Sequence, residues 1–120
     1  MVITEPVTVI ETPSFLRDSK GLLNNDEREA LVGYLAYNPK AGRIIVGTGG
    51  IRKFRWAREN EGKSGGYRVV YFYHSEEVPL FALNVFAKNE KANLTKEERN
   101  DLKKLTAVLV ENYRGKENKK

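Results

Sequence analysis

Residues 67–74, YRVVYFYH, followed by residues 80–87, LFALNVFA, fix the architecture. The first run is almost wholly β-branched and aromatic, the composition of a strand. Glu76–Pro79 turns the chain back, and the second run is its strand partner. A period of two puts Arg68, Val70 and Phe72 on one face and Tyr67, Val69, Tyr71 and Tyr73 on the other. In the partner, Phe81, Leu83 and Val85 read as core, whereas Asn84, Phe86 and Lys88 face away from them. Upstream, residues 59–66 (ENEGKSGG) form a polar loop. Before it, Ile51–Ala57 is a strand with Phe54 and Trp56 opposed to Lys53 and Arg55, joined to a short strand at Ile44–Val46 through a glycine turn. Gly49 and Gly50 serve that turn rather than a phosphate cradle, since no lysine–serine pair follows GTGG.

Beyond this sheet, the chain ends read as one strand and three helices. The β-branched run at Thr8–Ile10 is a first strand, and PSFLRDSKGLL after it is a helix ending near Gly21. Asn24-Asn25-Asp26 is an N-cap cluster, with Glu27 and Glu29 complementing the helix dipole, and apolar residues recur at helical spacing until Asn38-Pro39. Thr95 with Glu98 three residues on matches a capping box, and the helix it opens runs to Tyr113. Glu97, Glu98 and Asp101 read as the solvated start of that helix. The order strand, helix, helix, four strands, helix predicts an α+β fold in which a largely antiparallel sheet packs against two N-terminal helices and a C-terminal one. A consistent arrangement buries one apolar sheet face and leaves the other partly open, with Lys53, Arg55 and Lys88 on it or at its rim. A bulge in the glycine-rich approach would flip Arg68, so its face stays open at this level.

The chain has 120 residues, 40% hydrophobic and 31% charged, which predicts one compact domain spanning 1–120 with a frayed basic tail at 114–120. Zero cysteines exclude a disulfide framework, thiolate metal sites and thiol catalysis. The single histidine, His74, argues against a His-based metal site or a serine-type triad. The first residues lack the pattern of a secretory signal, and no stretch approaches the roughly 20 apolar residues of a membrane span, so a cytoplasmic location is expected.

The formal charge of +5 is unevenly spread. Residues 40–68 carry eight basic side chains (Lys40, Arg43, Arg52, Lys53, Arg55, Arg58, Lys63 and Arg68) against Glu59 and Glu61, while residues 1–39 are net acidic. Such a block is the footprint of a phosphate-rich partner, and equally of a solvated basic strand face. With tyrosine and phenylalanine beside it, an open basic sheet face suits single-stranded nucleic acid. RNA cleavage through the ribose 2′-hydroxyl needs no metal, but it needs a base, donors for the growing phosphoryl charge and an acid for the leaving oxygen. His74 is one candidate base. A lysine crowded by like charges is another, and Lys53 stands between Arg52 and Arg55.

Two stretches, NPKAGRIIVGTGGIRKFRWARENEGKSGGYRVVYFY from Asn38 and FALNVFAKNEKANLTKEERNDLKKL from Phe81, resemble the RelE/ParE toxin superfamily, in particular its HigB-like toxins. The shared blocks are the GTGG-I-RK turn and strand, the GK-x-GG-x-R-V-V-Y-F strand and the KNE-x-x-N-L-T-x-x-E approach to the last helix, together spanning about Asn38 to Leu105. The resemblance implies a ribosome-dependent mRNA endoribonuclease, the toxin of a type II toxin–antitoxin pair. Its partners would be the ribosome, mRNA and an antitoxin, a small helix-turn-helix protein, and no cofactor or metal is implied. By match to the family's motifs, Lys53, Arg55, Arg68 and Lys88 are the expected catalytic set. Arg52, Arg58, Lys63, Tyr71, Phe86 and Asn89 are the expected RNA- or ribosome-contacting set.

Some relatives carry an arginine after that lysine and a tyrosine at the start of the last helix, where Asn89 and Thr95 stand here. Phe86 replaces a tyrosine frequent in close relatives. The general acid and base therefore stay unassigned. A ParE-like gyrase inhibitor and a non-catalytic RNA-binding homologue remain alternatives, the first disfavoured by the Arg52–Arg58 cluster.

Overall fold

A computed structural model of the chain describes residues 5–56, 66–87 and 94–117, the last four as backbone only. The elements are β1 (Val9–Glu11), α1 (Pro13–Leu22), α2 (Asn25–Tyr37), β2 (Arg43–Ile44), β3 (Ile51–Trp56), β4 (Tyr67–Phe72), β5 (Leu80–Ala87) and α3 (Lys96–Glu117). The expected order is observed, in a five-stranded sheet ordered β1-β5-β4-β3-β2. β1 runs parallel to β5 and the other pairs are antiparallel. The second strand lies one to two residues earlier than Ile44–Val46, and Ile45 N–H still bonds Ile51 C=O at 2.8 Å in the same register before the glycine turn. Helix α3 continues to Glu117, into the segment expected as a tail.

Local chemistry starts each helix. Thr12 caps α1, its Oγ1 accepting from Phe15 N–H at 3.2 Å and donating to Ala82 C=O at 2.8 Å, so one hydroxyl begins the helix and ties it to β5. Pro13 sits in the first turn, where its missing N–H costs no bond. Asn24 and Glu27 form a reciprocal capping box on α2, with bonds of 2.7 and 2.9 Å. Thr95 and Glu98 do the same for α3, at 2.9 and 3.0 Å. The β2–β3 turn holds Gly47, Gly49 and Gly50 at positive φ. Thr48 is fully buried inside it, donating to Ile45 C=O at 2.7 Å and accepting from Ile51 N–H at 3.1 Å.

The sheet is apolar on both faces, which differs from the single buried face expected. On the first face α1 and α2 bring Phe15, Leu31 and Leu35 onto Tyr67, Val69, Tyr71, Leu80 and Val85. On the second, α3 brings Leu102, Leu109, Val110 and Tyr113 onto Ile51, Val70, Phe72, Phe81 and Leu83. Each large apolar side chain removed from water contributes about 1.5–3 kcal/mol, so two covered faces let a short chain hold a five-stranded sheet. The split of β5 comes from a bulge. Val70 pairs with Asn84 and Tyr71 with Ala82, leaving Leu83 as the extra residue. Phe81 and Leu83 therefore serve the α3 layer while Val85 serves the other, although unbroken alternation puts all three on one side.

Candidate functional site

The register across β3, β4 and β5 builds the site row by row. Ile51, Phe72 and Phe81 form the first row on the α3 face, all buried. Next come Lys53, Val70 and Asn84, and then Arg55, Arg68 and Phe86. Exposure grows along the series: Lys53, Asn84, Arg68 and Phe86 are half-buried and Arg55 is exposed. Among the described residues, α3 packs over the first rows, with the Tyr113 ring 5.6 Å from Phe81, while Arg55 in the last row is exposed. Lys53, Arg55 and Arg68 thus share one face. The described β3–β4 pairing keeps one register from Ile51–Phe72 to Trp56–Tyr67, and the bulge lies in β5, so Arg68 stays on this face.

Arg55 and Arg68 are direct cross-strand partners. Like charges opposite each other in a ladder are unfavourable. Each planar guanidinium presents several donors, a geometry suited to an anionic group.

Beside this row lies a cleft of about 650 Å³ between the open edge of β5, the C-terminal half of α1 and the first turns of α3. Phe86, Val70 and Leu102 give it an apolar wall, and Asp18, Glu98 and Asp101 add carboxylates. Asp18 has structural work there. Its Oδ2 accepts from Val85 N–H at 3.2 Å and from Asn84 Nδ2 at 3.1 Å, satisfying backbone on a strand edge that β1 does not reach. Glu98 closes the α3 capping box. Among the described residues no group of three or more His, Cys, Asp or Glu converges to hold a metal ion.

Three candidate residues lie away from that row. Tyr71 does not reach nucleic acid: its ring is fully buried on the opposite face, and its hydroxyl accepts from Gly42 N–H at 2.8 Å and donates to Pro39 C=O at 2.9 Å. Burial raises its phenol above the ordinary value, partly offset by the Gly42 bond and the Arg52 charge. Arg52 also turns to that side, donating through Nη1 to Gly42 C=O at 2.7 Å, so it braces the approach to β2. His74 is exposed beyond the far end of β4, six residues from Arg68, which is about 20 Å along a strand and too far to act on a phosphate held there. Arg58, Lys63, Lys88 and Asn89 lie outside the described residues. Sequence reasoning missed the cleft and the bond from Asn84 to Asp18. Those partners are 66 residues apart and no local pattern couples them.

The fold is an α+β sheet of five strands carrying Lys53, Arg55 and Arg68 on one face. A family model described as the RelE toxin of the RelE/RelB toxin–antitoxin system matches residues 42–118, well over half of the chain. The chain belongs to that toxin family, and membership implies an antitoxin partner. No helix among the described residues is long and apolar enough to cross a membrane.

Proposed function

We propose that this toxin is a ribosome-dependent mRNA endoribonuclease of the HigB-like kind. The observation that carries the reading is the facing pair Arg55–Arg68 with Lys53 one row away on the same sheet face, Arg55 being exposed. The scissile phosphate lies on the arginine pair. Lys53 takes the 2′-hydroxyl proton or donates to the phosphoryl oxygens as charge grows on them. The 2′-oxygen forms a bond to phosphorus and the bond to the 5′-oxygen breaks, with a proton delivered to that leaving oxygen. The products are a 2′,3′-cyclic phosphate end, which water can open to a 3′-phosphate, and a 5′-hydroxyl end. Lys88, matched by sequence to the family's lysine before the last helix, is a further member of the set. A small helix-turn-helix antitoxin holds the toxin inactive.

Lys53→Ala combined with Arg68→Ala is expected to abolish growth arrest on expression and to leave message ends unchanged, with the circular dichroism spectrum and melting cooperativity of the parent. A folded double variant that still arrests growth and cleaves message overturns the assignment. Mapping ends with and without a chelator checks that cleavage needs no metal. Arrest of DNA synthesis ahead of protein synthesis would instead select gyrase inhibition.

A further inference from the structure

We infer that the cleft beside the arginine pair is a base-reading pocket, selecting an unpaired base that carries an exocyclic amino group and disfavouring uracil; the inference rests on the RNA-cleaving reading above. Phe86 joins the two features. It is the cross-strand partner of Arg68 and also a wall of the cleft, so the phosphate site and the cavity meet at one residue. Neighbouring strands are about 5 Å apart, which makes the step from the arginine row to the β5 edge comparable to the reach from a phosphate to its own base. A volume of about 650 Å³ accommodates one base with room for its sugar.

The lining decides which base. Its charged groups are carboxylates, Asp18, Glu98 and Asp101, in a region next to the most basic part of the chain. Carboxylates repel phosphate, so the occupant is the base rather than the backbone. They accept hydrogen bonds and donate none, as in the pairing of Asp or Glu with the cytosine amino group. Cytosine, adenine and guanine each offer an exocyclic amino group, whereas uracil's one donor on that edge, N3–H, is flanked by two carbonyl oxygens that a carboxylate repels. The half-buried Phe86 ring offers a stacking surface that is indifferent to base identity. Discrimination therefore falls to the acids. Asp18 is already committed to Val85 and Asn84, and Glu98 to the helix cap. Asp101, exposed one turn into α3, is the acid whose change leaves those supports intact.

Titration of the whole protein with the four nucleoside 3′-monophosphates, followed by NMR, tests this without relying on turnover. The cytidine, adenosine and guanosine nucleotides are expected to bind roughly fivefold more tightly than the uridine one, the lower end of what a base-edge contact is worth. The shifts should centre on the Asn84 side-chain amide and Phe86. Asp101→Asn should erase most of the difference, and Glu111→Gln, the same charge change at an exposed site further along α3, should leave it unaltered. Equal affinity for all four nucleotides, shifts that spare Asn84 and Phe86, or a preference that survives Asp101→Asn would each overturn the pocket. A protein that discriminates the nucleotides yet cuts no message would sink the nuclease reading alone. A protein that cuts message with no nucleotide preference would sink the pocket alone.

Discussion

Tyr71 shows how one side chain can look functional and be architectural. Its ring is fully buried, and its hydroxyl bridges Gly42 and Pro39 across 29 and 32 residues of chain. Gly42 has no room for a side chain, since a Cβ there would stand 2.8 Å from Lys53 C=O and 3.0 Å from the Tyr71 ring. Tyr71→Phe leaves the buried Gly42 N–H without its acceptor and should cost about 1–3 kcal/mol, read from the shift in urea midpoint. The raised phenol also has a pH consequence. Because the folded state holds the proton more tightly than the unfolded chain, the associated stability is complete below the ordinary tyrosine value near pH 10 and is lost as pH climbs through the raised one. Thermal melts of the parent should therefore decline across that alkaline window more steeply than those of Tyr71→Phe; parallel declines would argue against it. Gly49 is a second fixed point. Its φ is +80°, and a Cβ would run into Thr106 Oγ1, which donates to Thr48 C=O at 3.1 Å. Gly49→Ala combines backbone strain with that collision and should lower stability by about 1–3 kcal/mol.

Among the elements, the edge of β5 is where sheet, helix and cleft meet. β1 pairs only with Leu80–Ala82, and beyond it the chain enters α1, whose Asp18 takes over from a strand as partner to Val85 N–H. Asp18→Ala should destabilise by about 1–3 kcal/mol through the unsatisfied N–H and the released Asn84 amide, whereas Asp18→Asn keeps an oxygen acceptor and should cost less. Equal midpoints for the two variants would show that water replaces the carboxylate. The start of α3 is similarly local. Thr95→Ala removes one half of a capping box and should cost roughly 0.5–2 kcal/mol. Its position next to the cleft means that a frayed first turn should also weaken nucleotide binding, measurable in the same titration.

Across the full domain, the asymmetry of charge matters more than its sum. Of the basic middle of the chain, Lys53, Arg55 and Arg68 come together on one face of β3 and β4, whereas Arg52 turns to the other face. Association with single-stranded RNA should weaken with salt, linearly on a log–log scale. Arg55→Ala with Arg68→Ala should flatten that slope by about 1.4, the counterion share of two phosphates that the protein no longer neutralises. An unchanged slope would mean that the pair does not touch phosphate.

The order of elements, the caps of α2 and α3 and the extent of β5 were legible in the chain, because capping boxes, proline stops and strand composition act over a few residues. Lys53, Arg55 and Arg68 were legible as candidates for the same reason, through charge density and the family's strand motifs. Their shared face was not. It depends on strand register and on a bulge at Leu83, which no local rule locates. Alternation described β4 correctly but misassigned β5, and an apolar pattern on both faces could not be told from one face plus an exposed aromatic set. The linear chain suffices for the class of fold, the cationic residues and the toxin family. Three-dimensional packing alone turns Tyr71 and Arg52 inward, sets His74 far from the arginine pair, and brings a carboxylate-lined cleft beside that pair. Caps, turns and charge density are short-range properties, whereas burial, register and cavities arise between residues tens of positions apart.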